Sequence, residues 1–212
     1  MSKLLRNTKI VYIASLLIVT AAAATCKNAA ESQRPSEPAP RSDSAKPKDS
    51  KPATAAAGMQ LRSAAFKHLG EIPKKYACEG ADISPPLSFE GVPQGAKSLA
   101  LIVDDPDAPD PKAPKMTWVH WVLFNIPAGT PGLAEGVTHL PAGAREGMND
   151  FQRTKYGGPC PPIGRHRYFH KLFALDTVLE LSRPTKAELE KAMQSHILAK
   201  TELMGTYQKS GN

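Results

Sequence analysis

Trp118-Val119-His120-Trp121-Val122-Leu123-Phe124-Asn125-Ile126 is rich in aromatic and β-branched residues and is closed by Pro127-Ala128-Gly129. Such a run with such a stop predicts a β-strand. On its N-terminal side, Ser98-Leu99-Ala100-Leu101-Ile102-Val103 predicts a second strand that ends at Asp104. On its C-terminal side, Tyr168-Phe169-His170-Lys171-Leu172-Phe173-Ala174-Leu175 predicts a third, closed by Asp176, and Gly205-Thr206-Tyr207-Gln208 is a short terminal candidate. Thirteen prolines lie between Pro85 and Pro162, mostly outside these runs. Proline cannot donate to a central ladder, so they mark long, stiff connections. One helix stands out. Thr185 and Glu188 form a capping box after Pro184, and Leu189, Met193 and Ile197 recur at fourfold spacing through Lys200. No internal repeat is present. Several strands, rigid loops and one late helix predict a single mostly-β domain over 59–212, a sandwich in preference to a closed barrel.

The chain has 212 residues, of which 41% are apolar and 22% charged, enough for one globular core. Its net charge of +7 would ordinarily suggest a nucleic acid or an anionic lipid as partner. The charge is unevenly placed, however. Residues 1–58 hold nine basic and four acidic side chains, and the rest of the chain holds 18 against 16. The near-neutral domain has no basic footprint for nucleic acid.

Lys3, Arg6 and Lys9 precede an apolar run from Ile10 to Ala24, followed by Thr25 and Cys26. The run is shorter than the ~20 residues of a membrane-spanning helix and fits the hydrophobic region of a secretory signal. Two fates are open to Cys26. Small residues before a cysteine resemble the lipobox of bacterial lipoproteins, with Thr25 where glycine, alanine or serine is usual; alternatively, cleavage after Ala24 leaves a thiol near the mature terminus. The following segment favours lipidation. Residues 27–58 carry no aromatic residue, five prolines, several serines and alternating charges. Such a stretch cannot bury enough apolar area to offset its chain entropy, so it is expected to be a disordered tether. The expected organisation is therefore a signal of lipoprotein type over 1–26, a tether over 27–58, and a domain exported to the periplasm or cell envelope and held to the membrane by lipid. Export would permit a disulfide between Cys78 and Cys160; two buried, reduced thiols fit the sequence equally well.

Two segments are candidates for chemistry. Asp104-Asp105-Pro106-Asp107-Ala108-Pro109 places three carboxylates at a strand end, and Gly157-Gly158-Pro159-Cys160-Pro161-Pro162-Ile163-Gly164-Arg165-His166-Arg167-Tyr168 is a rigid loop entering a strand. The period of two puts Trp118 and His120 on one face, and His166, Tyr168 and His170 on another. A histidine beside an aromatic residue on each of two strands, with carboxylates nearby, makes a small polar pocket with apolar walls. There Asp105 would orient an imidazole so that it offers an N–H to an anion. The plainer reading is that Asp-Pro-Asp is a turn whose side chains bond the backbone. His170 reads as core, and His68, His139 and His196 have no supporting neighbours.

The Asp104–Pro109 motif, the Trp118-x-His120 strand and Gly164-Arg165-His166-Arg167-Tyr168 together resemble the phosphatidylethanolamine-binding protein family, in its bacterial, Raf kinase inhibitor-like branch. Cys78-Glu79-Gly80-Ala81-Asp82-Ile83-Ser84-Pro85-Pro86-Leu87 and Glu202-Leu203-Met204-Gly205-Thr206-Tyr207 resemble it too, and the similarity runs from about Leu61 to Gln208. The resemblance implies a Greek-key β-sandwich with a small anion-binding cavity. Asp105, His120 and His166 would be its central polar residues, lined by Trp118, Asp107, Pro162 and Tyr168.

The function expected on these grounds is non-enzymatic binding of phosphate or a phosphorylated head group, without a cofactor. The alternative is an interaction or inhibitor module acting on a kinase, a protease or another envelope partner. Two histidines and a carboxylate would also suit iron or zinc, but no compact ligand motif is present. A hydrolase using His120 as general base needs a nucleophile; there is no Gly-x-Ser-x-Gly, and Cys160 is the only thiol near the site. The oligomeric state is left open, a homodimer included.

Overall fold

The computed structural model describes residues 58–211. The expected signal over 1–26, the lipidation at Cys26 and the tether up to residue 57 lie outside the described residues.

The elements run in the order β1 (Gln60–Arg62), β2 (Leu87–Glu90), β3 (Ser98–Ala108), β4 (Met116–Pro127), β5 (Gly132–Leu133), β6 (Arg145–Glu146), β7 (Arg165–Leu175), α1 (Lys186–Met193) and β8 (Ile197–Gln208). A single 3-10 turn, Lys74–Tyr76, precedes β2. The strands form two antiparallel sheets, one ordered β1-β2-β5 and one ordered β6-β4-β3-β7-β8. Leu61, Leu87, Phe89 and Leu133 of the small sheet close on Leu99, Leu101, Val103, Trp121, Leu123 and Leu172 of the large one. A second core lies on the other face of the large sheet, where Ala100, Ile102, Val122, Phe124 and Leu175 meet Leu189 and Met193 of α1.

These two cores account for the sequence of β3. A strand covered on one face alternates apolar and polar residues, whereas one covered on both reads as an unbroken apolar run. Leu99 to Val103 are all buried, and successive residues belong to opposite cores.

In three places the elements depart from the sequence expectation. First, β3 does not stop at Asp104 but continues to Ala108 through Pro106. Asp105 pairs with Trp118 and Ala108 with Met116, so a bulge accommodates the proline, which has no N–H to give. Second, α1 ends at Met193 instead of Lys200. The Thr185–Glu188 capping box forms, but Ile197 to Lys200 belong to β8, and Ile197 is 39% exposed. β8 pairs along the whole of β7 and brings Leu203 and Tyr207 into the core, a larger return than one more helical turn. Third, β7 begins at Arg165, immediately after Gly164, whose φ of 69° turns the chain into the strand.

His170 sits in the core, edge-tilted against Phe66 at 5.5 Å, and is 1% exposed. Backbone groups of Tyr168 and Leu203 lie nearby, but neither ring nitrogen reaches hydrogen-bond geometry. Burial pushes its pKa down from 6.5 to about 4. The unfolded chain therefore binds an extra proton between these values, so this contribution is complete above pH 6.5 and is lost as the pH falls toward 4. By linkage the loss approaches about 3 kcal/mol. The urea stability of the parent protein is thus expected to fall by about 2–3 kcal/mol more than that of His170→Leu between pH 7.5 and 4.5. Parallel losses in the two proteins would exclude this origin.

Candidate functional site

The site lies where the ends of β3, β4 and β7 meet two loops. Asp105, on β3, is 3% exposed. Its Oδ1 accepts the Asp107 backbone N–H at 2.8 Å, and its Oδ2 faces Nδ1 of His166, on β7, at 2.7 Å. The other nitrogen of that ring, Nε2, donates to the Ile163 carbonyl at 3.0 Å. A proton lies between Nδ1 and Oδ2, and neither nitrogen of His166 has a lone pair turned toward a metal. Among the described residues, no group of three or more His, Cys, Asp or Glu is gathered to hold one.

His120 reaches the site through a bulge in β4. Val103 pairs with Trp121 and Asp104 with Val119, which leaves His120 as the extra residue between them. A regular strand would send His120 and Trp121 to opposite faces; the bulge turns both inward, where they are 3% and 2% exposed. Nδ1 of His120 donates to the Gly157 carbonyl at 2.6 Å. Nε2 is buried without a partner. Burial holds this imidazole below its ordinary pKa, so the neutral ring carries its proton on Nδ1 and presents a lone pair at Nε2. The ring packs edge-on against Phe151 at 5.4 Å and Tyr168 at 5.2 Å. The Tyr168 hydroxyl lies close to Asp105 without a hydrogen bond of normal geometry, and burial pushes its pKa upward.

These groups form the foot of a cavity of about 450 Å³. Its walls are Ala108, Pro109, Met116, Trp118, Phe151, Pro161 and Pro162, with Cys160 and Lys115 toward the rim. Asp105, His120, His166, Trp118 and Pro162 therefore come together as lining residues. Asp107 and Tyr168 do not line it. Asp107 turns away, accepting the Arg167 backbone N–H and Nε at 2.9 Å each and Nη2 at 2.7 Å. The hydrogen bonds from Arg167 hold its carboxyl below the usual range. β3 and β7 are paired as far as Asp104 and Phe169, and beyond that point the Asp107 carboxylate takes over as acceptor. Tyr168 stands behind the wall, stacked on His166 at 6.4 Å.

Two loops complete the walls. The first is organised by Asn149, whose Nδ2 donates to the carbonyls of His120 at 3.1 Å and Lys155 at 2.6 Å. Its Oδ1 accepts the N–H groups of Phe151 and Arg153 and so sets Phe151 against His120. The sequence offered only the turn-forming Asn149-Asp150 pair as a signal for this loop. The second loop carries the carbonyls of Gly157 and Ile163 and the Pro161-Pro162 rim. It is tied to the segment around β2 by a Cys78–Cys160 disulfide, by Cys78 N–H donating to the Pro159 carbonyl at 3.0 Å, and by Gly158 N–H donating to Asp82 Oδ1 at 2.6 Å. A Cβ at Gly158 would collide with the Tyr76 carbonyl, so only glycine allows this approach. With Cys160 in the disulfide, no thiolate is available at the rim. A separate depression of about 480 Å³ contains Asp82, Trp121, Glu146 and Arg153, but these polar groups are already paired, Arg153 with Asp82 and Trp121 with Glu146 at 3.1 Å each.

Known proteins share this fold. Residues 62–208 match the family described as phosphatidylethanolamine-binding protein. A UPF0098 protein of Methanothermobacter thermautotrophicus is 50% identical over 155 residues, covering 71% of this chain and 99% of its own length. Among solved structures, a phosphatidylethanolamine-binding protein homologue of Chlamydia trachomatis is 47% identical with a TM-score of 0.67, covering 72% of this chain and 99% of that one. E. coli YbcL, described as a member of the mammalian family, is 33% identical with a TM-score of 0.66, covering 73% and 100%. The match spans the strands and both loops that build the cavity, and this chain belongs to the phosphatidylethanolamine-binding protein family.

Proposed function

We propose that the domain is a non-enzymatic binding protein whose cavity takes a small anion, either phosphate or the phosphorylated head group of a larger molecule, and that the chain is exported and held at the cell envelope through Cys26. Family membership supports a protein of binding or inhibitor type. The observation that carries the anion reading is the unpartnered, buried Nε2 of His120 at the foot of an otherwise apolar cavity, beside the Asp105–His166 pair. A buried polar atom left without a partner costs about 1–3 kcal/mol, and a ligand that reaches it recovers that energy. The apolar walls exclude water and leave the phosphate and its hydrogen bonds in a medium of low dielectric.

Addition of millimolar phosphate or phosphoethanolamine is expected to shift the imidazole resonances of His120 and His166 in NMR spectra of the full chain. His120→Ala is expected to weaken phosphoethanolamine binding at least tenfold, about 1.4 kcal/mol, while leaving the fold intact. Unmoved resonances with both ligands would sink the anion reading. Met116 and Ile163, exposed at 48% and 54% beside the mouth, favour a second reading, in which the cavity docks a side chain or terminus of a partner protein. A specific partner recovered from the envelope fraction and displaced by phosphoethanolamine would select it.

A further inference from the structure

The hydrogen-bond donors around the cavity decide what form of anion it accepts. Both oxygens of Asp105 are engaged and the group is an acceptor. Both nitrogens of His166 donate elsewhere, one toward Asp105 and one to Ile163. His120 spends its proton on Gly157 and offers only a lone pair. The prolines at the rim have no N–H. The ionisable groups facing His120 are Asp104 and Asp105 on β3, Asp150 on the loop after β6, and His166, Tyr168 and His170 on β7, with Lys115 at the mouth; Asp104 is itself paired with Lys171 at 2.8 Å and Lys186 at 2.9 Å, and Asp105 with His166. The foot of the cavity therefore turns acceptors toward a ligand and no free hydrogen-bond donor, the reverse of a site built for a fully ionised oxyanion.

We infer that the cavity takes its anion together with a proton, so that a phosphate monoester is held as the monoanion with its P–OH donated to Nε2 of His120, and a fully ionised oxyanion is disfavoured. This rests on the anion reading above and adds to it the protonation state of the ligand. The proton count is the same whether the proton finally rests on the phosphate oxygen or on Nε2. A dianion would turn a lone pair toward the lone pair of Nε2, whereas the monoanion meets it with a donor and carries one negative charge less into the low-dielectric foot. An unprotonated ligand could bind only by drawing a proton onto the buried ring of His120.

A phosphate monoester releases its second proton near pH 6. The affinity of the full chain for phosphoethanolamine is then expected to be level below about pH 6 and to fall roughly tenfold per pH unit above it. Calorimetry at pH 8 in two buffers of different ionisation enthalpy is expected to show uptake of one proton per ligand bound. Sulfate, which carries no proton at neutral pH, is expected to bind at least tenfold more weakly than inorganic phosphate at pH 7. Binding of constant affinity from pH 6.5 to 8.5 without proton uptake, or sulfate binding equal to phosphate, would overturn the proton-coupled site and leave the anion reading standing. Absence of phosphate and phosphoethanolamine binding at every pH would overturn both.

Discussion

Removal of the Cys78–Cys160 disulfide is expected to lower the stability of the domain by about 4 kcal/mol. The bridge joins residues 82 positions apart, and the chain entropy that the unfolded state gains when so large a loop is opened sets that magnitude. For a domain of this size the fall corresponds to roughly 8–16 °C in melting temperature. The experiment is a urea titration of the Cys78→Ser, Cys160→Ser double variant against the oxidised parent, with intact mass confirming the bond in the latter. A consequence at the cavity is expected too. The loop held by Cys160 supplies the Gly157 carbonyl to His120 and the Ile163 carbonyl to His166, so releasing it loosens the acceptors that fix both rings. Phosphoethanolamine affinity is expected to drop several-fold in the double variant, and equally in the parent under dithiothreitol. A stability loss below about 1 kcal/mol with unchanged binding would show that the hydrogen bonds around Gly158 and Asp82 hold the loop unaided.

The strands were legible where local composition and burial agree. β4 and the apolar half of β3 are long, β-branched or aliphatic, and stopped by turn residues, and their burial on two faces leaves little choice of conformation. The carboxylate half of β3 was not legible as strand, because aspartate and proline disfavour sheets and what keeps them there is distant. Arg167 on β7 satisfies Asp107, and His166 satisfies Asp105. The end of α1 was missed for a related reason. Leu189, Met193 and Ile197 share a helical spacing, and only the open edge of β7 decides that Ile197 pairs with Leu175. At the site, Trp118, His120 and His166 were singled out by strand periodicity, and Asp105 by the carboxylate motif and the family resemblance. Phe151 and Asn149 come from a loop, where no period exists, and their positions follow from four hydrogen bonds made by one amide. The inward turn of both His120 and Trp121 depends on a bulge, and a single extra residue in a ladder leaves no mark on the pattern of one strand.

Asp105→Ala is expected to cost about 3–5 kcal/mol, the usual result of breaking a buried charged pair from one side. His166 is fully buried and Asp105 nearly so, so the ring would be left facing an empty space with its Nδ1 unanswered, and the Asp107 N–H would lose its acceptor as well. Asp105→Asn keeps the shape and an acceptor for Asp107, and is expected to lose about half as much. The more informative variant is the double replacement Asp105→Leu, His166→Leu. A buried pair returns in attraction roughly what it costs in desolvation, so exchanging both partners for apolar side chains is expected to recover most of the loss seen in Asp105→Ala. The recovered protein should nonetheless show no chemical-shift response to phosphoethanolamine, since the phosphate would be buried against apolar side chains, a desolvation cost that its one hydrogen bond to His120 does not offset. Urea titration of the three variants, with NMR on the double, separates the two roles. If the double variant is as unstable as Asp105→Ala, the pair is a structural element of the sandwich. If it is stable and silent to ligand, the pair is present for the cavity, and the fold tolerates it only because Asp107, Ile163 and the bulges around it leave no hydrogen bond of Asp105 or His166 unmade.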